Sequence, residues 1–319
     1  MALTTAPAPL HRAAKGPRVE PRGPRREGLA GYLFLTPWLI GLATITAIPM
    51  LMSLVLSFTD YDILSDWSEL NWVGFDNYQR MFTEDPTFWH AVQVTVLFAV
   101  IATPLKLAAA LGVALLLNKA VRGVGLYRSL FYLPSLLGGS VALAIVWVSM
   151  FSRDGSFNAF LALFGISGPG WVNDPDYALS TLILLAIWQF GAPMVIFLAG
   201  LKQVPVELYE AASVDGAGAF RKFRSITLPI LSPVIFFNLV LETIHGFQGF
   251  TSAFVISGGT GGPVDSTLMY TLYLYIKGFT DYEMGYASAL AWVFLLAVGL
   301  LTVVLFSTGR FWVHYGDER

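Results

Sequence analysis

Several stretches of roughly 20 or more residues run almost without charge along this chain, the length an α-helix needs to cross about 30 Å of hydrocarbon. With 55% hydrophobic and only 13% charged residues, a chain of 319 residues cannot clothe a soluble surface of that size. The apolar groups need lipid or one another, and the chain reads as an all-α, polytopic membrane protein. The absence of cysteine excludes structural disulfides, thiolate metal sites and cysteine nucleophiles.

Six spans are predicted, at about 31–58, 90–117, 127–151, 177–201, 228–256 and 285–308, with kinks expected at Pro37 and Pro49 of the first. A Gly-rich connection and an interfacial or re-entrant stretch fill 257–283. Residues 1–30 form a basic, Pro- and Gly-containing arm with too little apolar surface to fold alone, residues 31–310 the six-helix domain, and residues 311–319 a tail. The apolar run after the arm is long and lacks a small-residue cleavage site, so it reads as a retained first span.

Cytoplasmic loops are enriched in Lys and Arg. With the N-terminus inside, 15 of the 19 Lys and Arg fall on inside segments: six in the arm, three at Lys119–Arg128, four in 202–227 and two in the tail. Outside lie Arg80, Arg153 and Lys277 with 13 of the 21 acids, while Lys106 sits within a span. Both termini are therefore expected to be cytoplasmic. A basic tail before a span is ordinarily an orientation signal, so no nucleic-acid partner is expected.

The loop 202–227 is the most charged internal segment. Pro205, a run of good helix formers and Gly216 predict a short helix over about 205–215. A basic and aromatic return to the membrane, Phe220 to Pro229, follows. By composition alone this is an ordinary interfacial loop helix. Ser257 to Pro263 is rich in glycine but lacks the Gly-Lys-Ser/Thr of a nucleotide loop and is predicted outside, so it reads as an external turn. The four histidines are scattered, and no nucleophile elbow or paired carboxylates appear, so the chain is not expected to be an enzyme.

Glu210-Ala211-Ala212, then Asp215-Gly216-Ala217, with Ile226-x-Leu228-Pro229 and Pro233 downstream, resembles the cytoplasmic signature loop of binding-protein-dependent ABC importer permeases. Trp72 to Tyr78, Tyr127 to Pro134, Trp188 to Leu201, Tyr273 to Tyr275 and Gly285 to Ala289 are similar to segments of the family's sugar-importing, maltose-type branch; Val94-Thr95 departs from its common Asn-Thr.

The resemblance implies a type I ABC importer permease fold in a bacterial cytoplasmic membrane, translocating a sugar, a di- or oligosaccharide or another polyol, by alternating access. It implies partners too: a second homologous permease, two ATP-binding cassette subunits and an extracytoplasmic solute-binding protein. ATP and Mg would be held on those ATPase subunits and no cofactor on this chain. It further implies that Glu207, Glu210, Ala211, Ala212, Asp215, Gly216, Ala217 and Arg221 form a coupling helix docking on the ATPase.

Asn238, Glu242, His245 and Gly249 recur at helical spacing and fall on one narrow face of the fifth span. An ionisable group at that depth needs a partner or water. Glu242 has three open roles: a proton relay, a contact to sugar hydroxyls, or a structural pair with Lys106 or His245. Phe247, Gln248 and Phe250 add stacking faces and an amide, and Trp188 and Gln189 of the fourth span are placed on the same substrate pathway. A proton-coupled secondary transporter using Glu242 and His245 is the competing reading.

Overall fold

The computed structural model describes residues 24–66, 68, 70–119 and 123–314, with side chains from residue 31 onward. Residues 1–23 of the N-terminal arm, the last five residues, Trp67, Glu69 and residues 120–122 lie outside that set. Packing divides the chain into Met1–Met52 and Ser53–Arg319.

In the first unit, α1 (Pro24–Gly41) contains Pro37 and passes into a π-helical turn, Leu42–Ala47, just before Pro49. This turn leads into α2 (Ile48–Leu56). Residues 31–56 together are long and apolar enough to cross a membrane.

In the second unit a short α3 (Asp76–Thr83) precedes α4 (Pro86–Leu117), the axis of the fold. At about 1.5 Å per residue, its 32 residues span about 48 Å, more than a bilayer core requires. Ala91, Ala99, Ala102, Ala110 and Ala114 are buried along it, and such small side chains let neighbouring helices approach closely. Asp85 caps the helix, accepting the N–H groups of Thr87 and Phe88 at 3.0 and 3.1 Å, and Pro86 occupies the first position, where a missing N–H costs nothing.

Three predicted spans are broken. The third is two helices, α5 (Val124–Leu137) and α6 (Val141–Phe151), bent through 99° where α6 runs on toward α7 (Ser156–Ala162). Gly138-Gly139 makes the break: Gly139 has φ +74°, open to glycine at little cost, and Ser140 Oγ then caps α6 by accepting the Leu143 N–H. The fourth is α8 (Pro175–Trp188) and α9 (Gly191–Leu201), bent by 40° at Gln189-Phe190. Beyond them lie the loop helices α10 (Val206–Val214) and α11 (Ala219–Lys222), and a π-helical turn, Phe223–Thr227. The fifth span is α12 (Leu228–Phe247), interrupted at Gln248–Phe250 before α13 (Thr251–Ile256).

The stretch 257–283 is a loop followed by α14 (Tyr270–Tyr275), whose Leu272 and Tyr273 are buried, and a π-helical turn, Ile276–Thr280. The last span is α15 (Met284–Gly309). Among the described residues four helices are long and apolar enough to cross a membrane, and counting each bent pair as one span makes six.

Two apolar cores flank the middle of α4. One gathers Phe88, Phe98, Trp147, Leu182, Leu272 and Tyr286. The other joins Leu107, Ala110 and Ala114 to Met194, Phe197, Leu201 and Leu231.

Candidate functional site

The three breaks meet at one place. A cavity of about 490 Å³ is lined by Gly138 and Gly139 from the first break, Gln189 and Ala192 from the second, and Gln248, Gly249 and Phe250 from the third, with α4 contributing Phe98, Thr103 and Lys106. Helices broken at membrane depth are tolerated where the freed backbone is buried in protein or lines a water-filled space.

Side chains hold the freed groups. Ser135 Oγ donates to the Gln189 carbonyl at 2.8 Å and accepts the Ala192 N–H at 3.0 Å. Thr271 Oγ1 donates to the Gly249 carbonyl at 2.6 Å. Glycines permit the close approach: a Cβ on Gly191 would lie 2.5 Å from the Phe131 carbonyl oxygen, and one on Gly138 would lie 2.5 Å from Gln189 Oε1.

Of the pathway residues expected from sequence, Glu242, His245, Gln248, Phe250 and Gln189 line the cavity. Asn238 does not: it is buried, and its amide donates to the Val234 carbonyl one turn back at 3.1 Å. Phe247 lies outside the lining as well, and Trp188 packs instead on Trp147 with ring centroids 5.8 Å apart. The 100° period groups Asn238 with Glu242, but Asn238 is buried and Glu242 is the first residue of α12 to line the cavity. Of the three roles open to Glu242, the structure forms the ion pair with Lys106, Nζ to Oε2 at 2.7 Å, on the cavity wall.

Thr103, Ser135, Gly138, Gly139, Thr251 and Ser252 also line the cavity. Sequence reasoning missed them, although a Gly-Gly pair in the middle of a predicted span is a legible signal of a break.

On the loop side, α10 presents Val206, Glu207, Leu208, Glu210, Ala211, Val214, Asp215 and Gly216 as exposed residues, whereas Ala212 and Ala217 are half-buried. Val214 is 89% exposed and Phe220 74% exposed, apolar surface that nothing in the chain covers among the described residues. Arg221 is exposed at the end of α11. The helix ends in a Schellman motif, with Ala217 N–H bonded to the Ala212 carbonyl, Gly216 N–H to the Ser213 carbonyl, and Gly216 at φ +75°. The Tyr209 hydroxyl, 2.8 Å from Thr227 Oγ1, ties α10 to the foot of α12. That bond links α10 to the start of the helix that carries Glu242.

On the opposite face, Asp85 Oδ2 also accepts the hydroxyls of Tyr273 and, at 2.5 Å, Tyr286. Burial acts to raise the Asp85 pKa, but these two hydroxyls and the Phe88 and Thr87 amides outweigh it and hold the carboxyl below its ordinary range. Beside it Arg80 pairs with Glu283 at 3.0 Å and lies over the Tyr286 ring, and Lys277 pairs with Asp281 at 2.8 Å.

The family model for "Binding-protein-dependent transport system inner membrane component" matches residues 106–313. The chain is 52% identical, over 93% of its length and 96% of the relative's, to "Probable ABC transporter permease protein YesP" of Bacillus subtilis. It is 36% identical, over 88% of its length and 94% of the relative's, to "Lactose transport system permease protein LacF" of Rhizobium radiobacter. Its fold matches a chain of a bacterial ABC transporter crystal structure described as importing the acidic polysaccharide alginate, with a TM-score of 0.78 and 22% identity, over 90% of this chain and 96% of that one.

Proposed function

Because the chain belongs to the inner membrane components of binding-protein-dependent transport systems, we propose that it is a permease subunit of an ATP-driven sugar importer. Its relatives include permeases named for lactose, for trehalose and maltose, and for arabinooligosaccharides. The observation that carries the reading is the pairing of two features on α12: a polar cavity at one end and, at the other, the tether from Thr227 to the exposed helix α10.

In this reading Glu207, Glu210, Ala211, Ala212, Asp215, Gly216, Ala217 and Arg221 form the surface on which an ATPase subunit docks. A homologous permease completes the pathway, and a solute-binding protein delivers sugar from outside. ATP and Mg are bound by the ATPase partners, and both termini face the cytoplasm. Glu242, His245, Gln248, Phe250 and Gln189 offer a carboxylate, an imidazole, two amides and a ring face to a hydroxyl-rich cargo, the mixture of polar anchors and apolar wall that ligand pockets carry.

The test is co-purification from mildly solubilised native membranes, wild type against Glu210→Lys. Recovery of a second permease and an ATPase, with the ATPase depleted by the charge reversal, supports the proposal. Recovery of the chain alone, under conditions that preserve known importers, overturns it.

A further inference from the structure

Lys106 stands well inside the 32-residue α4, at a depth where an ammonium is retained only with a partner or water. Its Nζ lies 2.7 Å from Glu242 Oε2, and the two side chains are 16% and 11% exposed. Together with His245, these are the ionisable residues on the cavity wall among the described residues. The ion pair occupies only one carboxylate oxygen: no described residue donates a hydrogen bond to Glu242 Oε1.

This arrangement treats cargo classes differently. A hydroxyl can donate to Oε1 while the pair stays closed. An anion must compete with Glu242 for Lys106, and a cation must compete with Lys106 for Glu242. Either exchange breaks a charge-assisted hydrogen bond in a poorly solvated site, where opposite charges hold each other more strongly than in water.

Resting on the reading of this cavity as part of the sugar pathway, we propose that the Lys106–Glu242 pair is its charge filter. Lys106 is a positioning residue: it cancels the charge of Glu242 and fixes its carboxylate so that the free oxygen accepts hydroxyls. The cargo class is accordingly uncharged and hydroxyl-rich. Without Glu242 the wall presents a bare ammonium and favours anions. Without Lys106 it presents a bare carboxylate and favours cations.

The chain contains no cysteine, so Gln248→Cys places a single thiol on the same wall. Membrane fragments open on both sides and carrying the full chain are treated with two methanethiosulfonate reagents, one bearing a sulfonate and one a trimethylammonium group. The readout is the ratio of their labelling rates on this chain. Relative to Gln248→Cys alone, adding Glu242→Gln is expected to raise the anion-to-cation ratio by about threefold or more, and adding Lys106→Met to lower it by about as much. The double substitution is expected to restore the ratio, and Lys106→Arg to leave it unchanged. Should the single neutralised variants fail to accumulate, the exchange of Lys106→Glu with Glu242→Lys asks the same question, and the ratio is expected to hold.

Ready labelling with a ratio indifferent to these substitutions overturns the filter and leaves the pathway standing. A thiol that reacts only after denaturation overturns the pathway reading itself, and the filter with it.

Discussion

The hydroxyl of Ser135 lies 2.8 Å from the carbonyl oxygen of Gln189, so a side chain at the end of one helix supplies the hydrogen bond that a second helix gives up where it bends. The Ser135 Oγ in turn accepts the Ala192 N–H from the far side of that bend. Ser135→Ala removes both contacts at the cavity wall. The expected cost is about 1 kcal/mol, the net worth of hydrogen bonds between groups that are only partly buried. It is read as a lower melting temperature of the detergent-purified chain and reduced sugar uptake in cells that depend on it.

Asp85 joins α4 to α14 and α15 through one carboxylate. Asp85→Ala is expected to destabilise the chain by about 1 to 3 kcal/mol, the loss of a helix cap plus an acceptor for two tyrosine hydroxyls. The pH dependence follows from a folded-state pKa depressed below the ordinary carboxylate value of about 3.9. The contribution is complete above that value and disappears as pH falls through the folded pKa. Wild type and Asp85→Asn are therefore expected to show a constant difference in melting temperature from pH 5 to 8, narrowing below about pH 4; a difference that widens on acidification would contradict the assignment.

Two glycines of α15 give an internal comparison. A Cβ on Gly285 would lie 2.1 Å from the Thr59 carbonyl oxygen, while one on Gly299 meets nothing within 4 Å. Gly285→Ala must push apart the start of α15 and the turn after α2, at an expected cost of about 2 kcal/mol or more. Gly299→Ala is expected to be neutral or slightly stabilising, since alanine is the better helix former. Thermal unfolding of the two purified variants against wild type checks both.

Gly216 is strained only by its own backbone, for a Cβ there has open space but φ is +75°. Gly216→Val is expected to cost about 1 to 2 kcal/mol locally and to re-aim the exit from α10. Its main effect is expected in sugar uptake, lost to a greater degree than the melting temperature suggests. Uptake that stays at wild-type rate would remove the loop from the coupling role.

The apolar runs made the number of spans legible, and Pro205, the helix formers after it and Gly216 made α10 legible almost to the residue: 205–215 was expected and Val206–Val214 is found. The breaks were not legible from hydropathy, because Gly138-Gly139, Gln189-Phe190 and Gln248-Gly249 interrupt runs that stay apolar on both sides, and an averaged window passes over them. Helical periodicity then carried Asn238 into the expected pathway, although a period alone does not tell which part of a stripe is buried, as Asn238 is. Lys106 was visible as a lone charge in a span; its choice of Glu242 over other partners depended on two helices 136 residues apart meeting at that height.

The backbone groups freed at the helix breaks also impose an order on synthesis. Ser135 enters the membrane before Gln189, so the break between α8 and α9 finds its partner waiting. The carbonyl of Gly249 takes its hydrogen bond from Thr271, which leaves the ribosome 22 residues later. Until α14 is in place that carbonyl has no such donor, and the wall around Gln248–Phe250 is the last part of the cavity to be finished. A chain halted before residue 271 would hold most of its spans and still lack the donor that finishes this cavity wall.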